Sequence, residues 1–466
     1  MDKETEKQLR EEISQLKKQI EILLSENMRL NSIISKNSSN SSKPPSTDIG
    51  KKKKNNSRKK TSRKPGGQHG HKGTCLTPVN NPDSTVVLIP VKCTCGHCFD
   101  GTENIIKDEK RQVFDIPVPK FEVTEYASGI YECPHCMSEV QHEFPEHVKS
   151  AVQYGTLLKS YAVYLMNYQL LPYKRTSELF TNMYGIPVSE GSLNNFLREY
   201  NELIEVPVSH IKQNIINSDT VHFDESGFYS EGKRHWIHVS STSLLTYYFF
   251  HRSRGINALE DAGILEYFRG TAVHDYWKTY YKYDKCSHSL CNAHHLRDLQ
   301  GIFDSTELEW VKDMKLLLSE MKKVADAARA EGRKSLSPDR LNRLVDKFNN
   351  LIAKGYEDTP RPKAKKKGTR GKQARGRALS LLDRFKHKSS EILDFIFDLD
   401  KPFDNNQAER DIRMTKIKQK ISGTFRSSEM AQVFCRIRSF ISTAIKHNKN
   451  ILEAIADIYK GKVFLY

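Results

Sequence analysis

No stretch of this 466-residue chain approaches the roughly 20 consecutive apolar residues that a membrane-spanning helix needs. The first ten residues, MDKETEKQLR, lack the apolar core of a secretory signal. A cytoplasmic protein with no membrane partner is therefore expected. In that compartment the nine cysteines read as thiols or metal ligands rather than disulfides. No Walker pattern is present. The glycine-rich stretch Gly66–Gly73 lacks that pattern and a preceding strand, so it is better read as a flexible basic arm than as a nucleotide cradle. Nothing resembles a Ser-His-Asp nucleophile or a nicotinamide site. Acid is also short: 57 Asp and Glu against 74 Lys and Arg leave a net charge of +17. Such an excess points to a polyanionic partner, nucleic acid before an anionic membrane, with a merely solvated surface as the plain alternative.

Two runs contain no acid at all. Residues 51–64 and 361–377 each hold nine Lys or Arg. Lys51, Lys52, Arg58 and Lys59 in the first are candidate phosphate contacts. Each such contact steepens the log–log salt dependence of binding by about 0.9. A solvated linker is the competing reading, because charge alone carries no sequence information.

The length exceeds one ordinary core, so several domains are expected. The chain opens on heptads: Leu9, Leu16, Leu23 and Leu30 share one position, and Ile13, Ile20, Asn27 and Ile34 another. Ile at a with Leu at d favours a parallel two-stranded coiled coil, and a single Asn on the seam fixes register. Short strand-like runs follow around the cysteines (86–91, 110–117 and 121–133). A helical stretch then contains a helix–turn–helix pattern, broken at Gly185 and Pro187 and restarted by Ser189 as an N-cap. That pair is either a DNA-reading unit or an ordinary packed pair.

Two acids end apolar alternating runs. Asp224 follows Val221-His222-Phe223, and Asp275 follows Thr271-Ala272-Val273-His274. Acids held at the ends of adjacent buried strands can share a divalent ion. Three strands, a helix, then the strand bearing the second acid is the order of a ribonuclease-H-like fold, whose third acid comes from a later helix. Glu409 fits: Asp404 can cap its helix, and Gln407 completes a capping-box-like pair. Asn405, Glu409, Arg413 and Lys416 fall on one face of that helix, an acid for metal beside cations for phosphate, with Arg410 as a further candidate. Phosphodiester attack needs an activated water or 3′-hydroxyl and a stabilised leaving oxygen, and Mg²⁺ held by a few carboxylates supplies both.

Cys95–Cys98 and Cys133–Cys136 are two CxxC pairs, enough for a closed four-thiolate structural zinc site, with Cys93 an alternative to Cys95. A looser group, Cys286, Cys291, His294 and His295, has irregular metal-ligand spacing and is read as packing near the acids, with His294 and Arg297 touching phosphate.

These stretches resemble the large transposase of the insertion-sequence sixty-six family, a group of DDE transposases, along nearly the whole chain. The resemblance is carried by Ser38–Ser46, Gly66–Gly73, His222–Ser226, Asp275-Tyr276 and, most specifically, Asp404–Arg413. The chain departs from the family pattern at Trp277-Lys278, where a small glycine-rich sequence is expected. The resemblance implies a Mg²⁺-dependent nuclease and strand transferase acting on its own element ends. It implies Asp224, Asp275 and Glu409 as the acidic triad, Mn²⁺ as an alternative ion, a zinc-binding region around the cysteines, and a nucleoid-associated prokaryotic setting with accessory transposition proteins as further partners.

The expected fold is multidomain α+β. It comprises a dimerising coiled coil (1–36), a basic arm (37–84), a zinc-binding β module (85–147) and a helical region (150–217). A ribonuclease-H-like core (218–300 and 378–466) is interrupted by a helical insertion and basic loop (301–377). A non-catalytic zinc-containing DNA-binding regulator and a hydrolysis-only DNA nuclease are the competing functions.

Overall fold

The computed structural model describes residues 3–34, 76–107, 109–359 and 376–465. Lys51, Lys52, Arg58, Lys59, the stretches Ser38–Ser46 and Gly66–Gly73, and most of the second basic run lie outside the described residues. Fourteen α-helices and seven strands form among those described. Two compact units divide the chain: Lys51–Val123, and Met1–Gly50 with Thr124–Tyr466.

The smaller unit holds a tight turn at its cysteines. Cys93 N donates to His97 O (2.8 Å) and Gly96 N to Cys93 O (2.9 Å). Gly96 turns the chain at φ +99°, where a side chain would be strained. The strands expected at 86–91 and 110–117 do not form. Val86, Val87, Leu88 and Val113 stand exposed with no neighbouring strand among the described residues of the unit. β-branched composition describes fit to a half-buried sheet, so without a partner strand it specifies nothing.

In the larger unit, α1 (Lys3–Ile34) is one helix, and Leu9, Ile13, Leu16, Ile20, Leu23 and Leu30 along it are all exposed. Strands β1 (Ile130–Glu132) and β2 (Glu139–Gln141) form a hairpin whose loop is closed by Cys133 N donating to Ser138 O (2.9 Å). Helices α2 (Thr156–Val163), α3 (Tyr173–Tyr184), α4 (Glu190–Leu203) and α5 (Glu205–Ile216) follow. Between α3 and α4, Gly185 adopts a left-handed φ of 72°, and the Ser189 hydroxyl accepts from Ser192 N (3.0 Å) as the expected N-cap.

The chain then builds one mixed sheet. Its strands are β3 (Thr220–Ser230), β4 (Lys233–Ser241), β5 (Thr246–His251), β6 (Thr271–His274) and β7 (Ser287–Leu290), with α6 (Ile256–Ala262) between β5 and β6. The spatial order is β5-β4-β3-β6-β7: the first three strands run antiparallel, and β6 and β7 join β3 in parallel. Entry of β6 beside β3 requires a glycine. A Cβ on Gly270 would stand 2.5 Å from Asp219 O, and the next amide, Thr271 N, donates to that oxygen (2.7 Å).

Helices α7 (Asn292–Thr306), α8 (Glu309–Ala330), α9 (Pro338–Asp358), α10 (Arg377–His387) and α11 (Ser389–Phe397) gather around Trp310, Phe348 and Phe385 in a core of their own. The last three, α12 (Asn406–Ser422), α13 (Ser428–Lys446) and α14 (Ile451–Tyr459), return to the sheet and to the earlier helices. Strand alternation decides what meets what. Val221 and Phe223 of β3 pack with Leu259 of α6 and with Ile211 and Ile215 of α5. Phe228, Ile237, Val239 and Phe250, on the opposite face, meet Ala408 and Ile412 of α12 and Phe434 of α13. Arg198 on α4, away from its buried Leu193, Phe196, Leu197 and Tyr200, is paired with Glu429 of α13. Among the described residues, no helix is long and apolar enough to cross a membrane.

Candidate active site

Asp224 and Asp275 occupy equivalent levels of two parallel strands. The β3–β6 ladder pairs His222 with Val273, and the same offset carries Asp224 to Asp275 just past the end of β6. Asp224 does not end its strand, as the apolar run led us to expect. β3 continues to Ser230 as half of an antiparallel hairpin, and only its pairing with β6 stops at His222. The hydrophobic pattern stops there because the next residues face a site rather than a core. Both carboxylates are held locally: Glu225 N donates to Asp224 Oδ1 (2.9 Å) and Trp277 N to Asp275 Oδ1 (2.9 Å). His274 stacks on Tyr280 with ring centroids 4.5 Å apart, and its Nδ1 donates to Asp275 O, fixing the turn that presents Asp275.

Alternation puts His222 and Asp224 on the face that meets α12. His222 Nδ1 donates to Asn405 Oδ1 (2.9 Å), and Asn405 Nδ2 donates to Phe223 O (2.7 Å). The Asn405 backbone N–H in turn donates to Cys291 Sγ (3.1 Å). Asn405, at the N-cap position of α12, therefore spends its side chain on β3, and the expected capping box is absent. Asp404 Oδ1 accepts from Asn406 N (3.1 Å) as a local turn, and Gln407 Nε2 points down the helix to Asp411 Oδ2 (3.1 Å). What fixes α12 is tertiary. Asp411 accepts from Lys446 Nζ (2.8 Å), Ser241 Oγ (2.5 Å) and Thr246 Oγ1 (3.2 Å).

One turn into α12, Glu409 lies near enough for its charge to act on Asp224, but among the described residues the three acids do not bring ligand atoms within 4.8 Å of one another. Burial, and after it the charges of Glu225, Asp275 and Glu409, push the Asp224 carboxyl well above the usual carboxylate range. Like charges gathered this way create a demand for a cation. Glu409 Oε1 accepts from Arg297 (3.0 Å) and stands 3.8 Å from His294 Nδ1, a buried atom without a hydrogen-bond partner among the described residues. Cys291 Sγ, His294 and Glu409 offer ligand atoms all within 4.8 Å of one another. The four-residue cluster of Cys286, Cys291, His294 and His295 does not assemble. Cys286 packs beside β6, and buried His295 bonds to Asn292 Oδ1 (3.1 Å) on a different side of α7. Burial pushes the Cys291 thiol up to about 12, so it serves as an acceptor for the Asn405 backbone N–H.

The basic candidates separate. Arg297 touches Glu409, Lys416 Nζ donates to Gly227 O, Arg410 donates to Gln407 Oε1 (2.8 Å), and Arg413 is exposed. Glu225 was missed from sequence. Its side chain is 3 % exposed, it accepts from Arg254 Nε (2.7 Å) and Tyr280 OH (2.8 Å), and burial followed by the charge of Asp275 raises its pKa. Its only sequence signal was adjacency to Asp224.

At the cysteines, hydrogen bonds from Cys95 and Thr94 lower the Cys93 thiol, and bonds from Ser138 lower Cys136. One thiol on each turn, Cys93 and Cys136, is thus favoured as thiolate, the form that ligates zinc. Cys95 and Cys98 lie exposed on the first turn; on the second, Cys136 is exposed and Cys133 half-buried.

The model of the Transposase IS66 family matches residues 151–433, more than half of the chain and all of the acid group. The zinc-finger binding domain of transposase IS66 matches 92–137, spanning both cysteine turns, so a structural zinc belongs to this region. A family of unknown function matches residues 2–77. No curated protein matches the chain. With the acid group, the helix that completes it and the cysteine turns all inside the matched segments, this chain belongs to the IS66 family of transposases.

Proposed function

We propose that the chain cuts DNA at the ends of its own element and joins the freed ends to target DNA, with Asp224, Asp275 and Glu409 as the metal-binding acids. The observation that supports this reading is the equivalent level of the two aspartates on parallel strands, with the charge of Glu409 on α12 acting on Asp224. The strand order and the late helical acid support a ribonuclease-H-like core. The donor set is all oxygen and partly buried, which suits Mg²⁺ or Mn²⁺. When bound, the ion supplies activation of the attacking oxygen and stabilisation of the leaving one. The protein's own groups do the rest. Arg297, released from Glu409, holds a phosphate oxygen. His222 and Asn405 keep α12 at its distance from β3. Arg410, Arg413 and Lys416 line the helix toward the backbone of the DNA.

Zinc is proposed at Cys95, Cys98, Cys133 and Cys136. The exposed Leu and Ile seam of α1 is proposed to pair two chains as a coiled coil, and the basic residues Lys51, Lys52, Arg58 and Lys59 to contact phosphate.

Labelled element ends, target DNA and Mg²⁺ test the reading together. Joined product supports a transposase. Cut product alone would indicate a hydrolytic nuclease, and a shifted but uncut band a regulator. Cleavage that persists in Asp224→Asn would falsify the acid assignment.

A further inference from the structure

On the face of β3 away from α12, the sheet carries an unusual stack beside the acids. Trp236 pairs with Gly227 across the β3–β4 hairpin. The Arg234 guanidinium lies 4.7 Å from the Trp236 ring, and Arg254 lies 5.2 Å from the same ring and 4.5 Å from Trp277. Gly227 makes this packing feasible, since a Cβ there would stand 3.0 Å from Arg234 Nε. The stack abuts the acids through two residues already described: Trp277 N holds Asp275, and Glu225 holds Arg254.

The two arginines differ. Arg254 is neutralised by buried Glu225 and is fixed. Arg234 is exposed and has no carboxylate partner among the described residues. Lys416 Nζ donates to the carbonyl of Gly227, the same residue that Arg234 packs against. Two cations that repel each other beside a partly exposed indole form a site with two unmet demands: an anion between the charges and a planar group over the ring. A nucleotide meets both. Aromatic and guanidinium planes accept any base, since every base has a π face.

We infer that Trp236, Trp277 and Arg234 form a docking site for an unstacked DNA base and its phosphate, next to the acid trio. The inference rests on the proposed DNA chemistry and adds where the strand is gripped. A base displaces the Arg234 guanidinium from Trp236, and Arg234 moves onto the phosphate beside Lys416.

The chain has three tryptophans, and the third, Trp310, is fully buried in the α8–α9 core. Tryptophan emission of the full chain therefore reports on the stack. Titration with a short fluorescently labelled oligothymidylate, followed by anisotropy, gives binding. The same titration with unlabelled oligomer, followed by tryptophan emission, gives stacking. Binding accompanied by quenching is expected. Trp236→Ala weakens binding by on the order of tenfold or more, and Trp236→Phe recovers much of it. Arg234→Gln keeps the quench but lowers the salt slope by about 0.7, one phosphate contact on a single strand. Binding with unchanged emission overturns the stack and leaves the DNA reading intact. Failure of the wild-type chain to bind any DNA overturns both. Circular dichroism on each variant separates lost stacking from lost folding, and the Phe variant keeps the test decisive if the Ala variant unfolds.

Discussion

The Arg297 guanidinium sits 3.0 Å from the Glu409 carboxylate, on a helix that precedes α12 by the whole α8–α11 segment. With Glu409 as a proposed metal ligand, the cation in contact with it must let go when the ion arrives. We expect Arg297→Ala to lower cleavage at saturating Mg²⁺ by about 10²-fold, the scale of removing one charge-stabilising donor. The Mg²⁺ concentration at half-maximal activity should fall or stay level, because a competitor for Glu409 is gone. A Mg²⁺ titration of cleavage rate checks both; a rise in that concentration would mean that Arg297 helps to build the metal site.

Asp224 has a raised pKa because of burial and its acidic neighbours, and this carries a stability consequence. A carboxyl whose folded pKa exceeds its unfolded value of about 3.9 stabilises the fold at low pH, and that contribution is lost as pH rises through the folded pKa. In chelator at neutral pH, Asp224→Asn is therefore expected to melt higher than the wild type. The gap should close as pH falls toward 4. Added Mg²⁺ should raise the melting temperature of the wild type more than that of the variant. Thermal scans across pH, with and without Mg²⁺, read all three.

Lys446 and Asp411 form a mostly buried pair, their side chains 11 % and 15 % exposed. Lys446→Met leaves Asp411 without its cation and should cost about 3–5 kcal/mol of stability. Denaturant midpoints measure the loss. Changing Asp411→Leu in the same chain should recover part of it, since no charge is then stranded.

The cysteine turns predict one zinc per chain. Cys98→Ser and Cys133→Ser should each release it, and Cys95→Ser should do so while Cys93→Ser retains it, as read by metal analysis of purified protein. Zinc lost from the Cys93 variant and kept in the Cys95 variant would reassign the ligand.

For α1, Asn27→Ile should raise the stability of the assembly and relax its two-chain state, the usual effect of removing a seam asparagine. Sedimentation equilibrium reads the oligomer. A wild-type chain that remains monomeric would remove the coiled coil.

The residues that were legible in sequence acted locally. Val221 and Phe223 alternate because both point to the α5–α6 side of β3, and the apolar run breaks at Asp224, which points to the α12 side. Gly185 and Ser189 punctuate α3 and α4 because turn and cap chemistry span only a few residues. What stayed hidden was decided at a distance. The α12 cap was misread because Asn405 is claimed by Phe223 O, 182 positions earlier. Glu225 is marked in sequence only as a neighbour of Asp224, whereas in the fold Arg254 and Tyr280 enclose it. The 86–91 and 110–117 runs have strand composition but no strand to pair with among the described residues, a fact that no local window contains.

The separate core of α7–α11 has a consequence for how the protein comes into being. Glu409 lies beyond all five of those helices, so a chain leaving the ribosome displays Asp224 and Asp275 long before their third partner exists. Until α12 seats against β3 through His222 and Asn405, the two aspartates stand without it. Assembly of the proposed acid trio thus waits on the making of α12, well after the strands that carry its first two members.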